Sequence, residues 1–206
     1  KTALADAEVE YMNHTSNTIY VGFKVKKTDK DFLKDTSIVI WTTTPWTIPA
    51  NKALAFNSNI DYSILEVENL QNFKEKKIVV ATNLVKEIVN ACEIENYKEL
   101  KTFKGSEFKN TICSHPFLNM KFDYDVPMLD AQFVNLEQGT GIVHCAPSHG
   151  PDDFNLCLKN NIPSLYTVDD SGLYTKEIPY FEKTHVFKAD NIVIEKLKEQ
   201  KKLLKK

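Results

Sequence analysis

Two short stretches of the sequence gather the residues best equipped for chemistry. The first, Trp41-Thr42-Thr43-Thr44-Pro45-Trp46-Thr47-Ile48-Pro49-Ala50-Asn51, holds both tryptophans and two of the eight prolines. The apolar run Ile38-Val39-Ile40-Trp41 leads into it and reads as a buried central strand. Three threonines and a proline then present hydroxyls and loose backbone N–H groups where a strand ends, and such places are where folds build sites. Threonine also favours extended backbone for its own sake, so a plain β-bend accounts for the same residues.

The second stretch is Gly139-Thr140-Gly141-Ile142-Val143-His144-Cys145-Ala146-Pro147-Ser148-His149-Gly150-Pro151-Asp152-Asp153-Phe154, with half of the six glycines between positions 139 and 150. It is no dinucleotide fingerprint, because His144 stands at the sixth position of the G-x-G pattern and a strand follows. The glycines instead permit a tight turn or a close approach of backbone to a ligand. His144 is placed at a strand end and Asp153 in the first turn of a helix opening at Pro151. Structural explanations stand beside these. A strand-end histidine is often a hydrogen-bonded scaffold residue, and proline followed by two aspartates suits a helix N-terminus on dipole grounds alone.

Other chemistries fit less well. His144, Cys145, His149 and Cys157 lie close in sequence but match no H-E-x-x-H, paired C-x-x-C or deaminase H-x-E pattern, so no metal site is assigned. No G-x-S-x-G elbow supports a serine or cysteine nucleophile. The lysine-rich tail, 196–206, reads as a solvated helix end.

The elements that must position these residues are mostly strands. Residues 18–25 alternate, with Ile19, Val21, Phe23 and Val25 on one face, and further strands are expected at 38–41, 53–56, 62–67, 78–81, 126–129, 133–136 and 142–144. Helices are few. Leu84, Val85, Ile88 and Val89 share one face of a short one; a second opens at Pro151 with Phe154, Cys157 and Leu158 spaced to face a core; a third runs from about Ala189 into the tail. Residues 26–34 and 69–77 are charged connections. Many strands with a few peripheral helices predict an α+β domain around a closed or strongly curved, barrel-like sheet, with no doubly wound alternation.

The chain has 206 residues, long enough for one large domain or two small ones. All 26 Lys+Arg residues are lysine, which excludes guanidinium forks onto carboxylates or phosphates. A net charge of −2 argues against a surface that grips nucleic acid unaided. No apolar run approaches the length of a membrane span. The four cysteines form no C-x-x-C pair and suit a reducing, cytoplasmic setting. The chain opens on Lys1 without a signal peptide, and is expected to be a piece excised from something longer.

Taken together, the two stretches resemble the paired signatures of the editing domain inserted in isoleucyl-tRNA synthetases. Residues 41–51 resemble its threonine-rich peptide, and 139–153, as G-T-G-I-V-H-x-A-P-x-x-G-x-x-D, its second motif. The likeness extends over the whole chain: 3–11 resembles the incoming strand, Asp125-Val126-Pro127 to Phe133-Val134 the approach to the glycine turn, Asp170-x-Gly172-x-Tyr174-Thr175 a later loop, and 185–204 the exit helix. One editing domain over 1–206 is implied, with 1–15 and 185–206 as connections to a catalytic core. Valyl and leucyl relatives usually carry Thr-Thr-Arg-Pro followed by an acid; Thr44 and Trp46 at those places favour the isoleucyl type.

The resemblance implies a hydrolase that removes valine misattached to isoleucine tRNA, with the valyl or leucyl editing domain, or a non-catalytic tRNA-binding insert, as alternatives. Thr42, Thr43 and Thr44 match the threonines that hold the ester and terminal adenosine and position water. Trp46 matches a wall of the small pocket, His144 the histidine that limits side-chain size, Asp153 the carboxylate that grips the α-ammonium; Gly141 falls in the substrate-binding turn. The implied partners are the aminoacylated 3′ end of isoleucine tRNA and the rest of the same synthetase chain, with no membrane and as a monomer. No cofactor is implied for the domain itself, ATP and Mg²⁺ belonging to the catalytic core.

Overall fold

The computed structural model describes residues 16–68 and 70–206; the incoming segment at residues 3–11 lies outside them. Among the described residues, ten strands and three α-helices make a mixed α+β fold. The strands are β1 (Ile19–Lys27), β2 (Ser37–Thr42), β3 (Ala53–Phe56), β4 (Asp61–Val67), β5 (Lys77–Ala81), β6 (Tyr97–Lys104), β7 (Ile112–Ser114), β8 (Asp125–Asp130), β9 (Val143–Cys145) and β10 (Leu203–Lys205). The helices are α1 (Val85–Ala91), α2 (Pro151–Lys159) and α3 (Val186–Glu199). None is long and apolar enough to cross a membrane, among the described residues.

The strands lie in the order β6-β4-β5-β2-β1-β7-β8-β3-β9, with β10 added beside β1. Pairing is antiparallel except for β2 with β5 and β3 with β8. Of the two forms expected, closed or strongly curved, the sheet takes the second: it does not close, since β6 and β9 end the path without pairing with each other. It is nonetheless curved enough for β2 to pack against β9 without a hydrogen-bonded ladder.

β1 follows its alternation, with Ile19, Val21, Phe23 and Val25 buried. Those side chains join a single large core with Ile38, Ile40, Leu65, Val79 and the aromatic rings of Tyr62, Phe103 and Phe108. A smaller core of Ala53, Ala55, Leu129, Val134, Cys145, Leu156 and Cys157 seals α2 onto the β3–β8–β9 end. All four cysteines are free and buried.

Several elements depart from expectation. Residues 133–136 leave a turn as irregular chain, with Val134 buried, and form no strand. Helix α2 buries Leu156 and Cys157, while Phe154 and Leu158 are left exposed. Its first turn is fixed by Gly150 and Pro151, and this sets a rotation that the apolar spacing alone does not select. The tail is not a helix end: α3 stops at Glu199, and β10 turns back to pair Leu203 with Val21.

Candidate active site

The site forms where β2 runs out. Thr42 closes the strand, and Pro45–Ala50 coil into a 3₁₀ turn with Pro45 at its first position, where a missing N–H costs nothing. The turn is wired through hydroxyls. The Thr44 backbone N–H donates to Thr42 Oγ1 at 3.1 Å, and the Thr42 and Thr44 hydroxyls lie 3.2 Å apart. Thr47 Oγ1 donates to the Thr44 carbonyl at 2.9 Å.

From the facing strand, β9, His144 enters this network. Its Nε2 lies 2.8 Å from Thr47 Oγ1 and its Nδ1 2.8 Å from Asn51 Nδ2. Asn51 Nδ2 also donates to the Ala53 carbonyl at 2.9 Å. That carbonyl fixes the amide orientation, because the reversed amide would set oxygen against oxygen. Nδ1 is therefore an acceptor and the ring proton sits on Nε2, donated to Thr47, whose own proton is committed to Thr44. Burial drives the same way: it pulls the imidazole's pKa down to about 3, with a smaller push from neighbouring His149. His144 is a neutral, doubly anchored wall.

Asp153 lies in the first turn of α2 and accepts the Ala146 N–H on Oδ2 at 2.8 Å. Burial raises its pKa above the ordinary carboxylate value, opposed by the Ala146 bond and reinforced by Asp152. Together Thr42, Thr44, Thr47, His144 and Asp153 line a cavity of about 190 Å³, rimmed by Trp41 and Val143. A second hollow of about 270 Å³ shares Trp41, Thr42 and Val143, and takes in Thr43 and the turn at Gly139 to Ile142.

Comparison with known proteins decides the family. The family model "Leucyl-tRNA synthetase, editing domain" matches residues 15–206. The chain belongs to the synthetase editing-domain family. At the sequence level isoleucine–tRNA ligases are among its relatives. That of Pelagibacter ubique is 66% identical over 204 residues, covering 99% of this chain and 22% of that protein. That of Gluconobacter oxydans is 43% identical over 205 residues, covering 97% and 21%. The chain thus spans about a fifth of the length of these relatives. The P. knowlesi cytosolic leucyl-tRNA synthetase editing domain superposes with a TM-score of 0.66 at 10% identity, covering 91% of this chain and 95% of that one. That likeness shows the fold.

Within the editing domain, the residues expected from sequence do not all meet. Thr42, Thr44, His144 and Asp153 share the smaller cavity, whereas Thr43 and Gly141 line only its neighbour. Trp46 lines neither. Its ring packs edge-on against His149 at 4.8 Å, its backbone N–H donates to Asp190 Oδ1 at 2.9 Å, and its backbone carbonyl accepts the Tyr174 hydroxyl. It is a backing element one layer out. Thr47, Asn51 and Trp41 are the additions. All three lie inside the first signature stretch, but Thr47 and Asn51 pair with His144, 97 and 93 positions away, which leaves no local signal.

Proposed function

We propose that this editing domain hydrolyses the ester linking valine to isoleucine tRNA, by attack of a positioned water in a pocket that excludes isoleucine by size. The observation that carries the reading is the convergence of three threonine hydroxyls, a neutral histidine and a half-buried carboxylate on one cavity of about 190 Å³. An aminoacyl ester offers an α-ammonium, and a carboxylate short of solvent is its natural partner. Binding that ammonium favours the charged form of Asp153 and offsets the burial that raises its pKa.

The need for such a pocket is physical. Valine lacks one methylene of isoleucine, and a hydrophobic pocket discriminates this by only about 1–3 kcal/mol, a figure established on isoleucyl-tRNA synthetases themselves. A second pocket that admits valine and refuses isoleucine multiplies the selection. His144 suits the refusing wall because both nitrogens are tied, so the ring cannot swing aside without breaking two buried hydrogen bonds.

The same ties argue against a covalent route. His144 has no free nitrogen to activate a threonine, and Thr47 spends its proton on the Thr44 carbonyl. The reading therefore invokes neither a nucleophilic side chain nor a metal or cofactor. The ester is already activated, and Thr42 and Thr44 supply hydroxyls for holding water and for the developing oxyanion. The ribose hydroxyl beside the ester assists proton transfer. Thr43, Gly141 and the hollow they line accommodate the terminal adenosine. Valyl-adenylate carries the same ammonium and side chain and is a second candidate substrate. The remainder of the same chain supplies most of the grip on tRNA, ATP and Mg²⁺ serving its catalytic core; the domain acts in the cytoplasm as a monomer.

The leucyl family model favours a second reading, a leucyl or valyl editing specificity. Assaying valyl-tRNA-Ile against mischarged leucine and valine tRNAs separates them: the first reading predicts preferential loss of valine from isoleucine tRNA. Trapping of a valyl-protein adduct by hydroxylamine would contradict the water mechanism.

A further inference from the structure

Beyond His149 lies another hollow, of about 440 Å³, that the proposed hydrolysis does not use. It meets the reaction cavity at that one histidine, which lines both. Its polar side chains are bonded to one another. Ser148 Oγ donates to the Leu165 carbonyl at 2.6 Å and lies 3.1 Å from Ser164 Oγ, while the Thr167 hydroxyl meets His149 Nε2 at 2.9 Å.

Besides His149, the hollow is lined by the ring-bearing Tyr166. Tyr166 is 62% exposed, yet it is not loose: its hydroxyl donates to Asp170 Oδ1 at 3.1 Å and its carbonyl accepts the Thr175 hydroxyl at 2.6 Å. A fixed, solvent-facing ring flanked by hydroxyls is the arrangement on which single-stranded RNA bases stack. Asp170 holds the hydroxyl end of the ring, and the 62% exposure of Tyr166 leaves the ring open to contact.

Placement supplies the occupant. The reaction cavity lies between two hollows, joined to one through Trp41, Thr42 and Val143 and to this one through His149. An esterified ribose above the central cavity sends its base to one side and its 5′-phosphate to the other. We propose that the Tyr166 hollow holds the base of the nucleotide preceding the terminal adenosine, stacked on the Tyr166 ring. The inference rests on the hydrolase reading and adds a subsite to it.

The test uses the whole protein that contains this domain and three small esters: valyl-adenosine, valyl-cytidylyl-adenosine, and the same dinucleotide made abasic at its first position. One stacked base corresponds to roughly tenfold in kcat/KM. The parent should therefore prefer the cytidylyl ester over the abasic one by about that factor. Tyr166→Ala should erase the preference, and Tyr166→Phe, which keeps the ring, should retain it. Equal hydrolysis of the dinucleotide and abasic esters by the parent, or a preference undiminished in Tyr166→Ala, overturns the subsite and leaves the hydrolase reading standing. Failure to hydrolyse any valyl ester removes the hydrolase reading, and the subsite with it.

Discussion

The pKa values of Asp153 and His144 are moved in opposite directions by the same cause. Burial disfavours charge on both, leaving His144 neutral down to about pH 3 and raising the Asp153 pKa. Asp153 is needed as an anion, so Asp153→Ala should abolish valyl-tRNA deacylation with an unchanged circular dichroism spectrum; near-parental turnover refutes its role. A raised folded-state pKa adds stability below the unfolded value that is lost as pH climbs through the folded one. At neutral pH the Asp153 charge is therefore a cost, and Asp153→Asn should melt no lower than the parent at pH 7 while losing activity. His144→Ala should open the gate, so that correctly charged isoleucyl-tRNA is deacylated; continued protection of isoleucine would show that the wall lies elsewhere. The types and approximate places of these residues were legible in the sequence. That Asn51 fixes the histidine's tautomer was not, because the pairing spans a turn and a distant strand.

At the scale of elements, the threonine turn is held from outside. Asp190 of α3 binds the Trp46 N–H, the Tyr174 hydroxyl binds its carbonyl, and His115 Nε2 donates to the Ile48 carbonyl at 3.0 Å. Tyr174→Phe removes one such tie, worth about 1 kcal/mol. It should lower kcat several-fold in a steady-state deacylation assay, with the thermal transition still cooperative. The glycine turn is held by contact. Gly141 has φ +71°, and a Cβ there would meet the Ala81 methyl at 2.4 Å. Gly141→Ala should thus cost about 1–3 kcal/mol in urea unfolding. β1 could be read from alternation, and β2 to β5 from their short apolar runs. β6 could not, because only Phe103 of its eight residues is buried and its lysines guard a sheet edge. β10 was hidden by its lysines as well, its pairing with β1 being a tertiary fact.

For the whole molecule, two histidines buried in the neutral form set the acid limit. His115 and His144 both have pKa values lowered by burial to about 3, against an ordinary value near 6.5. Unfolding lets each take a proton, so their contribution is complete above about pH 6.5 and is lost progressively as pH falls toward 3. Melting temperature should decline across that window, and His115→Gln should flatten the decline; a flat parent profile would contradict the assignment. The absence of arginine places no bar on this account, since the proposed binding relies on an aspartate, hydroxyls and an aromatic ring. The central claim is that one small cavity sorts amino acids by size on an ester. Binding of a non-hydrolysable valyl-adenosine analogue, set against its isoleucyl counterpart by titration calorimetry, tests it most directly. At least tenfold tighter binding of the valyl analogue, lost in Asp153→Ala, is the predicted result; equal binding of the two would contradict it.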